Sequence, residues 1–275
     1  MIPFLYLLNV GCSAGQSALG KQYAAKGGKA VVFNLNKALA GSLVFLLFGL
    51  LNGLELHLPS WLFGLGYGAA LCLSMHTGFK ALAMGPMALT SIIASFSLII
   101  PFLFGITVWK EPLTLPGGIG MILLLAAILL LNFKKEDGLS VRWSVYAFLT
   151  LAANGACSLI QKYHQICYPG QYRTVFMLAA MLAVLVLLSG AGLGEKQKFT
   201  LSLPGLAAGL MNGAANYIVL YLAAAEKASV LFPVVSVANV IAVWLIGRIV
   251  FKEKLKGMQL LGLAAGLGAI LLLNL

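Results

Sequence analysis

Two stretches of the sequence carry the same polar residue types at the same spacing, and these types are suited to binding. Both read N-x-x-C-S-x-x-Q, with copies 145 positions apart: Asn9, Cys12, Ser13 and Gln16, then Asn154, Cys157, Ser158 and Gln161. On a helix, which turns by about 100° per residue, each set falls on one stripe about 100° wide. Amides and hydroxyls donate and accept hydrogen bonds without ionising, so the stripes predict a site for a polar solute.

A third polar stripe lies further along the chain. Gly209, Asn212, Gly213 and Asn216 also share one helix face, and the glycines allow another backbone or a ligand to approach closely. Tyr217 follows as a stacking or hydrogen-bonding group, and we include it with Asn212 and Asn216 among the candidate substrate-binding residues. The alternative is that these polar groups only bond across helix pairs, at about 0.6 kcal/mol each.

Four ionisable side chains fall within apolar segments. His76 is a candidate for the site, because an ionisable group deep in a membrane is costly to keep there; the alternative is a neutral ring bonded to a backbone carbonyl. Lys80 lies one turn later on the same face. Lys37 and Arg248 each fall within about two turns of the same membrane face, so we expect both to extend to the headgroups. If Lys37 or Lys80 turned inward instead, an anion could be bound.

The elements that position these residues are long apolar helices. The 275 residues are 61% hydrophobic and 9% charged, which excludes a water-soluble fold with its roughly 25% of charged residues. A span needs about 20 apolar residues, and the chain divides into segments at 3–19, 30–51, 60–82, 87–108, 115–133, 143–160, 172–191, 203–222, 229–250 and 257–274. Because the first segment lacks a basic stretch before it, we expect a permanent span and not a signal peptide.

Several function classes are disfavoured by what the apolar segments lack. They contain no Ser/His/Asp set, no paired acids and no cluster of metal ligands, so we expect neither an enzyme nor a metal or other cofactor. The four cysteines lack metal-ligand spacing, and we expect no disulfide. The net charge of +11 comes from short loops beside spans, where membrane topology explains it, so we expect no nucleic-acid partner.

The order of the matches points to a duplication. A second match, 142 positions apart, pairs Lys110-Glu111 and Asn132 with Lys252-Glu253 and Asn274. We therefore divide the chain into residues 1–138 and 139–275, each a five-helix unit. Since five is odd, the second unit must enter the membrane from the opposite side, and inverted repeats of this kind are typical of transporters. The predicted fold is all-α and polytopic, with ten transmembrane helices in two inverted repeats.

The pattern resembles the ten-helix, EamA-like branch of the drug/metabolite transporter superfamily. The residues that carry the resemblance read E-x-L-x-x-x-Q-x-x-G, namely Glu253, Leu255, Gln259 and Gly262, with Glu111, Leu113 and Gly120 as a weaker echo in the first half. The resemblance implies a carrier fold over the whole chain. It does not imply a substrate, since that superfamily carries amino acids, nucleotide sugars, nucleobases, choline and drugs. The Lys-Glu pairs stand at span ends, where capping or an interfacial ion pair is expected.

The function that these patterns favour is secondary-active or facilitative transport. The expected substrate is a small neutral or zwitterionic metabolite, such as an amino acid or nucleobase, held between helices one, three, six and eight and moved by alternating access. A multidrug exporter and a non-transporting sensor or assembly subunit are the alternatives. The expected partners are the small-molecule substrate and the lipid of the plasma or inner cell membrane, which the chain crosses several times as a monomer or homodimer.

Charge bias predicts the orientation. Fourteen of the 18 basic residues belong to the loops and flanks after helices one, three, five, seven and nine. Short basic loops stay in the cytoplasm, so both termini are expected outside, although the resemblance implies that both are cytoplasmic.

Overall fold

The computed structural model describes residues 2–86, 90, 93–94, 96–131, 140–194, 199–250 and 257–273; helices joined by short connections make up these residues, with no strand among them. The helices are α1 (Ile2–Ala25), α2 (Ala30–Asn52), α3 (Leu58–Met84), α4 (Ile99–Thr107), α5 (Leu115–Leu131), α6 (Val141–Cys167), α7 (Arg173–Gly194), α8 (Leu203–Ala225), α9 (Ala228–Ile249) and α10 (Gly257–Leu273). A 3-10 helix, Phe96–Leu98, leads into α4. The predicted all-helical class is confirmed.

Six of these helices, α2, α3, α6, α7, α8 and α9, are long and apolar enough to cross a membrane. Large apolar side chains cover their outer surfaces; Leu51, Leu62 and Val186, for example, are 75%, 61% and 71% exposed. Such an apolar exterior is suited to lipid, so the fold fits an α-helical membrane protein. α1 has 24 residues and is not among these six.

The helices pack in pairs that join the two parts of the sequence. α3 packs against α6 and α7, while α8 packs against α1 and α2. α2 contacts α7, α5 contacts α10, and α9 contacts both α1 and α4. The largest buried cluster lies between α2, α3 and α7, around the fully buried side chains of Tyr67, Phe176 and Met181.

Glycine pairs produce the closest helix crossings. A Cβ built on Gly64 or Gly68 of α3 would lie 2.5 Å from a backbone oxygen of α7, and one built on Gly209 of α8 would lie 2.5 Å from the carbonyl oxygen of Lys37 in α2. Only glycine permits these approaches. The sequence contains the glycine pairs Gly11/Gly15, Gly64/Gly68, Gly205/Gly209 and Gly262/Gly266, whose spacing predicts such close crossings. The prediction is confirmed at Gly64, Gly68 and Gly209. The same prediction for Gly11 is wrong, because a Cβ there would meet nothing within 4 Å.

The boundary predicted least well is the end of α6. The apolar pattern predicted an end at residue 160, whereas the helix continues to Cys167. Its polar last turns are buried, and they find partners: Lys162 Nζ donates to the carbonyl oxygens of Ala223 (3.2 Å) and Glu226 (2.7 Å). His164 Nε2 and Ser60 Oγ lie 2.8 Å apart.

Some predicted features lie outside the described residues. They are most of the predicted start of helix four, the repeat residues Asn132 and Asn274, and the Lys252, Glu253 and Leu255 part of the second motif.

Candidate functional site

A cavity of about 300 Å³ lies at the centre of the helices. Its lining comes from α1, α2, α3, α6, α8 and α9 and from Thr90, Ala94 and Ser97 before α4. It therefore includes two helices, α2 and α9, and a segment before α4 that the sequence did not assign to the site. Eight of the ten predicted site residues line it: Asn9, Ser13, Gln16, Asn154, Ser158, Gln161, Asn212 and Asn216. The two N-x-x-C-S-x-x-Q stripes and the α8 stripe therefore meet in one place.

On the α1 side, the stripe contacts α8 and α2. Asn9 Nδ2 donates to the carbonyl oxygen of Ala215 at 2.7 Å. Gln16 Oε1 accepts two hydrogen bonds, from Lys37 Nζ at 2.9 Å and from Asn212 Nδ2 at 3.0 Å. The neutral amide oxygen of Gln16 thus accepts hydrogen bonds from both a buried cation and a second amide.

On the α6 side, the stripe contacts α3 and α8. Ser74 Oγ donates to Asn154 Oδ1 at 2.5 Å, and Gln161 Nε2 donates to Tyr67 OH at 3.2 Å. Tyr67 OH in turn donates to Asn216 Oδ1 at 2.6 Å. This chain of bonds ties three helices together at the cavity wall. It also satisfies the phenol of Tyr67, whose side chain is fully buried and would otherwise be costly.

Sequence reasoning missed Tyr67 and Ser74, which both line the cavity. A signal was available, because they are seven residues apart and so share one face of α3.

The same geometry corrects the assignment of His76. Two residues beyond Ser74, it points about 200° away around the helix. It lies instead in a second pocket with Lys80 and Tyr146, where Lys80 Nζ stands 5.4 Å from the centre of the Tyr146 ring.

Tyr217 is also outside the central cavity, contrary to the prediction. Its ring stacks on Phe45, with centroids 5.9 Å apart, and meets Phe48 edge-on at 6.1 Å. One residue past Asn216, Tyr217 is rotated by about 100° from the polar stripe. That rotation turns the ring towards α2 and away from the cavity.

The expectation that Lys37 extends to the headgroups is wrong. Lys37 lines the cavity and is only 8% exposed. Besides its bond to Gln16, its ammonium lies 5.9 Å from the centre of the Phe33 ring. Among the described residues that line the cavity, Lys37 carries the one formal charge, and none is Asp or Glu.

Within the part of the chain that the structure describes, two side-chain oxygens of the cavity wall accept no hydrogen bond. The side-chain oxygens Asn9 Oδ1 and Asn239 Oδ1 are buried and accept no hydrogen bond, although both residues line the cavity. A buried acceptor without a donor is unfavourable, so both oxygens are available to a ligand. Asn239 follows Ser236 by three residues on the same face of α9, and both line the cavity; sequence reasoning missed this short polar stripe.

The two ends of the cavity are built differently. We call the side at which α1 ends and α2 and α8 begin the basic face, and the side at which α3 and α9 begin the opposite face. The lining comes within one turn of the basic face at Phe33 of α2 and Leu82 of α3. Towards the opposite face, Val219 and Phe232 line the cavity and also belong to a buried apolar cluster with Leu222 and Leu231. That cluster forms the floor.

Polar contacts hold this floor together. Glu111, in the connection after α4, accepts the backbone N–H groups of Ala228 and Ser229 at 2.9 Å each and so caps α9. Lys110 turns the chain with a φ of 55°, which brings the Glu111 N–H to the carbonyl oxygen of Gly105 at 2.9 Å. Capping was expected for this Lys-Glu pair, and the helix that Glu111 caps is α9 of the other half.

Comparison with known proteins supports the fold alone. No protein-family model matches the chain, and no curated protein matches it. Among solved structures, a chain described as "Crystal structure of protein" superposes with a TM-score of 0.76 at 17% sequence identity, over 98% of this chain and 96% of that chain. At this identity the similarity shows that the helical architecture recurs, and it carries no statement about activity.

Proposed function

We propose that this protein is a multi-pass carrier of a small polar metabolite in the cell membrane, with access to the site alternating between the two faces. The observation that carries the proposal is the central cavity, in which polar stripes from α1, α6 and α8 converge inside an apolar exterior. Polar groups at depth in a membrane protein are costly and mark substrate pathways. The cavity's amides and hydroxyls offer binding and no reactive group, which favours transport over catalysis.

Symmetry in the contacts supports ten spans arranged as two inverted units, residues 1–138 and 139–275. If each helix is exchanged for the one five places along, the α1–α8 contact becomes the α6–α3 contact, and α2–α8 becomes α7–α3. The contacts α2–α7, α4–α9 and α5–α10 map onto themselves. This is the pattern expected of a two-fold axis between repeats.

The same exchange relates individual contacts. Asn9 bonds to α8 at Ala215, and its counterpart Asn154 bonds to α3 at Ser74. The glycine pair of α3 crosses α7 closely, as the glycine pair of α8 crosses α2. Two related half-structures can exchange conformations, which is the physical basis of alternating access. The cavity nears the basic face and is floored at the opposite face, as one state of such a cycle requires.

Transport by purified protein in proteoliposomes tests the proposal. A mixture of labelled amino acids, hydroxy acids and nucleobases should enter vesicles that contain the protein and not protein-free vesicles. Asn212→Leu removes the donor to Gln16 and should reduce uptake at least about tenfold, the effect of losing roughly 1.4 kcal/mol of binding. Tyr217→Phe, on the same helix but outside the cavity, is the matched control. Equal vesicle contents with and without protein, for every solute, would overturn the proposal.

A further inference from the structure

The charge of Lys37 is not balanced by the protein around it. Its ammonium has three N–H donors, and one of them is bonded to the neutral Gln16 Oε1. Burying a cation in a membrane protein is costly unless an anion accompanies it. The position of Lys37 on the cavity wall means that a ligand can reach it.

No acidic residue that the structure describes is placed to be that anion. The chain has seven, all in or beside predicted loops: Glu55, Glu111, Glu136, Asp137, Glu195, Glu226 and Glu253. Of these, Glu111 is committed to the N-terminus of α9 at the opposite face, whereas Lys37 lies seven residues from the start of α2 at the basic face. A bound ligand can supply the negative charge that the described part of the chain does not place beside Lys37.

The groups beside Lys37 favour a carboxylate in particular. Asn212 Nδ2 shares Gln16 Oε1 with Lys37, so one cationic and one neutral donor already converge on a single oxygen. A carboxylate has two oxygens that accept from such pairs of donors, and charge-assisted hydrogen bonds are roughly twice as strong as neutral ones. A nucleobase has no formal charge to offer Lys37.

The deeper part of the cavity is suited to the other end of such a solute. Ala14 of α1 and Val243 of α9 share a buried cluster, so the unpartnered oxygens of Asn9 and Asn239, about one turn before each, lie at similar depth. Asn9 is about 10 Å deeper than Gln16, from a rise of about 1.5 Å per residue. Two free acceptors at the floor therefore face a donor group of the solute.

We infer that Lys37 binds the carboxylate of the transported solute, so that the cavity selects small carboxylate-bearing metabolites with a hydrogen-bond donor at the far end over nucleobases and amides. This inference rests on the transport function proposed above and narrows its substrate class. Two sources share the chemistry: amino acids with a donor group at the end of the side chain, and hydroxy acids with a hydroxyl at the end remote from the carboxylate.

Exchange in proteoliposomes distinguishes these cases. Vesicles containing the wild-type protein are loaded with one unlabelled compound, and entry of the same compound in labelled form is followed. Each set consists of an amino acid, the corresponding hydroxy acid and the corresponding primary amide, with adenine and uracil alongside. Acids that exchange while their amides and the nucleobases do not would support the inference. Exchange of amides or nucleobases at rates equal to the acids would overturn it and leave transport standing. If no compound exchanges, the proposed function fails, and the inference fails with it.

Substitutions then assign the effect to Lys37. Lys37→Met keeps the length of the side chain and removes the ammonium. It should raise the half-saturating concentration for acids by roughly 10- to 100-fold, which corresponds to the loss of a charged hydrogen bond. Lys80→Met, in the second pocket, is the matched control and should leave acid exchange unchanged. Unaltered acid exchange by folded Lys37→Met protein would overturn the inference.

A second variant keeps the test decisive if Lys37→Met does not fold. Gln16→Glu would place a carboxylate at the oxygen that Lys37 now contacts at 2.9 Å, and it should therefore occupy the position of the substrate's carboxylate. We expect this variant to lose acid exchange while its melting temperature is equal to or above that of the wild type. Normal acid exchange by Gln16→Glu would contradict the inference.

Discussion

The two ends of the central cavity show how differently the same helix bundle can be closed. At the basic face the lining reaches Phe33 and Leu82 near the helix ends, and aromatic rings are the main groups there: Phe33 lies 5.2 Å from both Tyr23 and Phe79, centroid to centroid. At the opposite face a buried apolar floor is fastened by a carboxylate cap and a lysine. The firm closure is at the opposite face.

In the transport cycle proposed above, the difference identifies the contacts that would break when the cavity opens at the opposite face. Side chains packed by dispersion can slide with small changes in energy, whereas a capped helix and a bonded lysine have discrete bonded and unbonded states. Glu111 and Lys162 are therefore the groups whose loss should favour opening at the opposite face. Glu111 follows α4 and Lys162 lies in the last turns of α6, and both bond to the segment where α8 ends and α9 begins.

The largest change should come from Glu111→Ala. It leaves the N–H groups of Ala228 and Ser229 without their acceptor, at a cost of about 1–2 kcal/mol for a lost cap. The ratio of molecules with an open floor to molecules with a closed floor should therefore rise about tenfold. We would measure it as faster labelling of a cysteine at Ser13, in a protein otherwise free of cysteine, by an impermeant thiol reagent applied at the opposite face.

The control for Glu111 is Glu55→Ala, since Glu55 is exposed and lies between α2 and α3 at the same face. It should not change the labelling rate. Equal rates in Glu111→Ala and Glu55→Ala protein would show that the cap does not hold the floor shut.

A smaller change is expected from Lys162→Met. The substitution removes two donors from the carbonyl oxygens of Ala223 and Glu226, but water at the helix end can replace them in part, so we expect about 1 kcal/mol and roughly a fivefold rise in labelling. Lys227→Met, at an exposed position on the next residue after Glu226, is the control. A change as large in Lys227→Met would attribute the effect to net charge and not to the bonds of Lys162.

The sequence predicted those parts of the molecule that depend on repetition. Apolar length located the helices, and the paired motifs led to Gln16 and Gln161, which line one cavity. The positions of single side chains were harder to predict, because tertiary packing determines their neighbours. Lys37 of α2, for example, turns inward and bonds to Gln16 of α1. Asn239 and its counterpart at the 142-residue offset, Ser97, both line the cavity, but their residue types differ, so the repeated motifs did not identify them.

Two predictions that relied on the polarity of residues differ from the structure. The last turns of α6 resemble a loop in composition, yet Lys162 and His164 are buried with partners on other helices. His76 was predicted to belong to the site because it is ionisable, but its position around α3 separates it from Ser74 and the cavity. The angular position of a residue on a helix face was a better guide than its residue type.

The smallest effect is expected in a test of orientation, which determines the face of the protein that lies outside the cell. The charge bias predicts that the basic face is cytoplasmic and that the termini are external. Cys167, exposed at the end of α6, then lies at the external, opposite face, because Lys162 and His164 just before it contact the end of α8 and the start of α3.

With Cys12, Cys72 and Cys157 replaced by serine or alanine, an impermeant thiol reagent should label Cys167 in intact cells. A cysteine replacing Lys26, exposed where α1 ends, should be labelled only after lysis when Cys167 is also removed. The reverse pattern would place the basic face outside and reverse the assignment, and would make the floor held by Glu111 and Lys162 the cytoplasmic barrier.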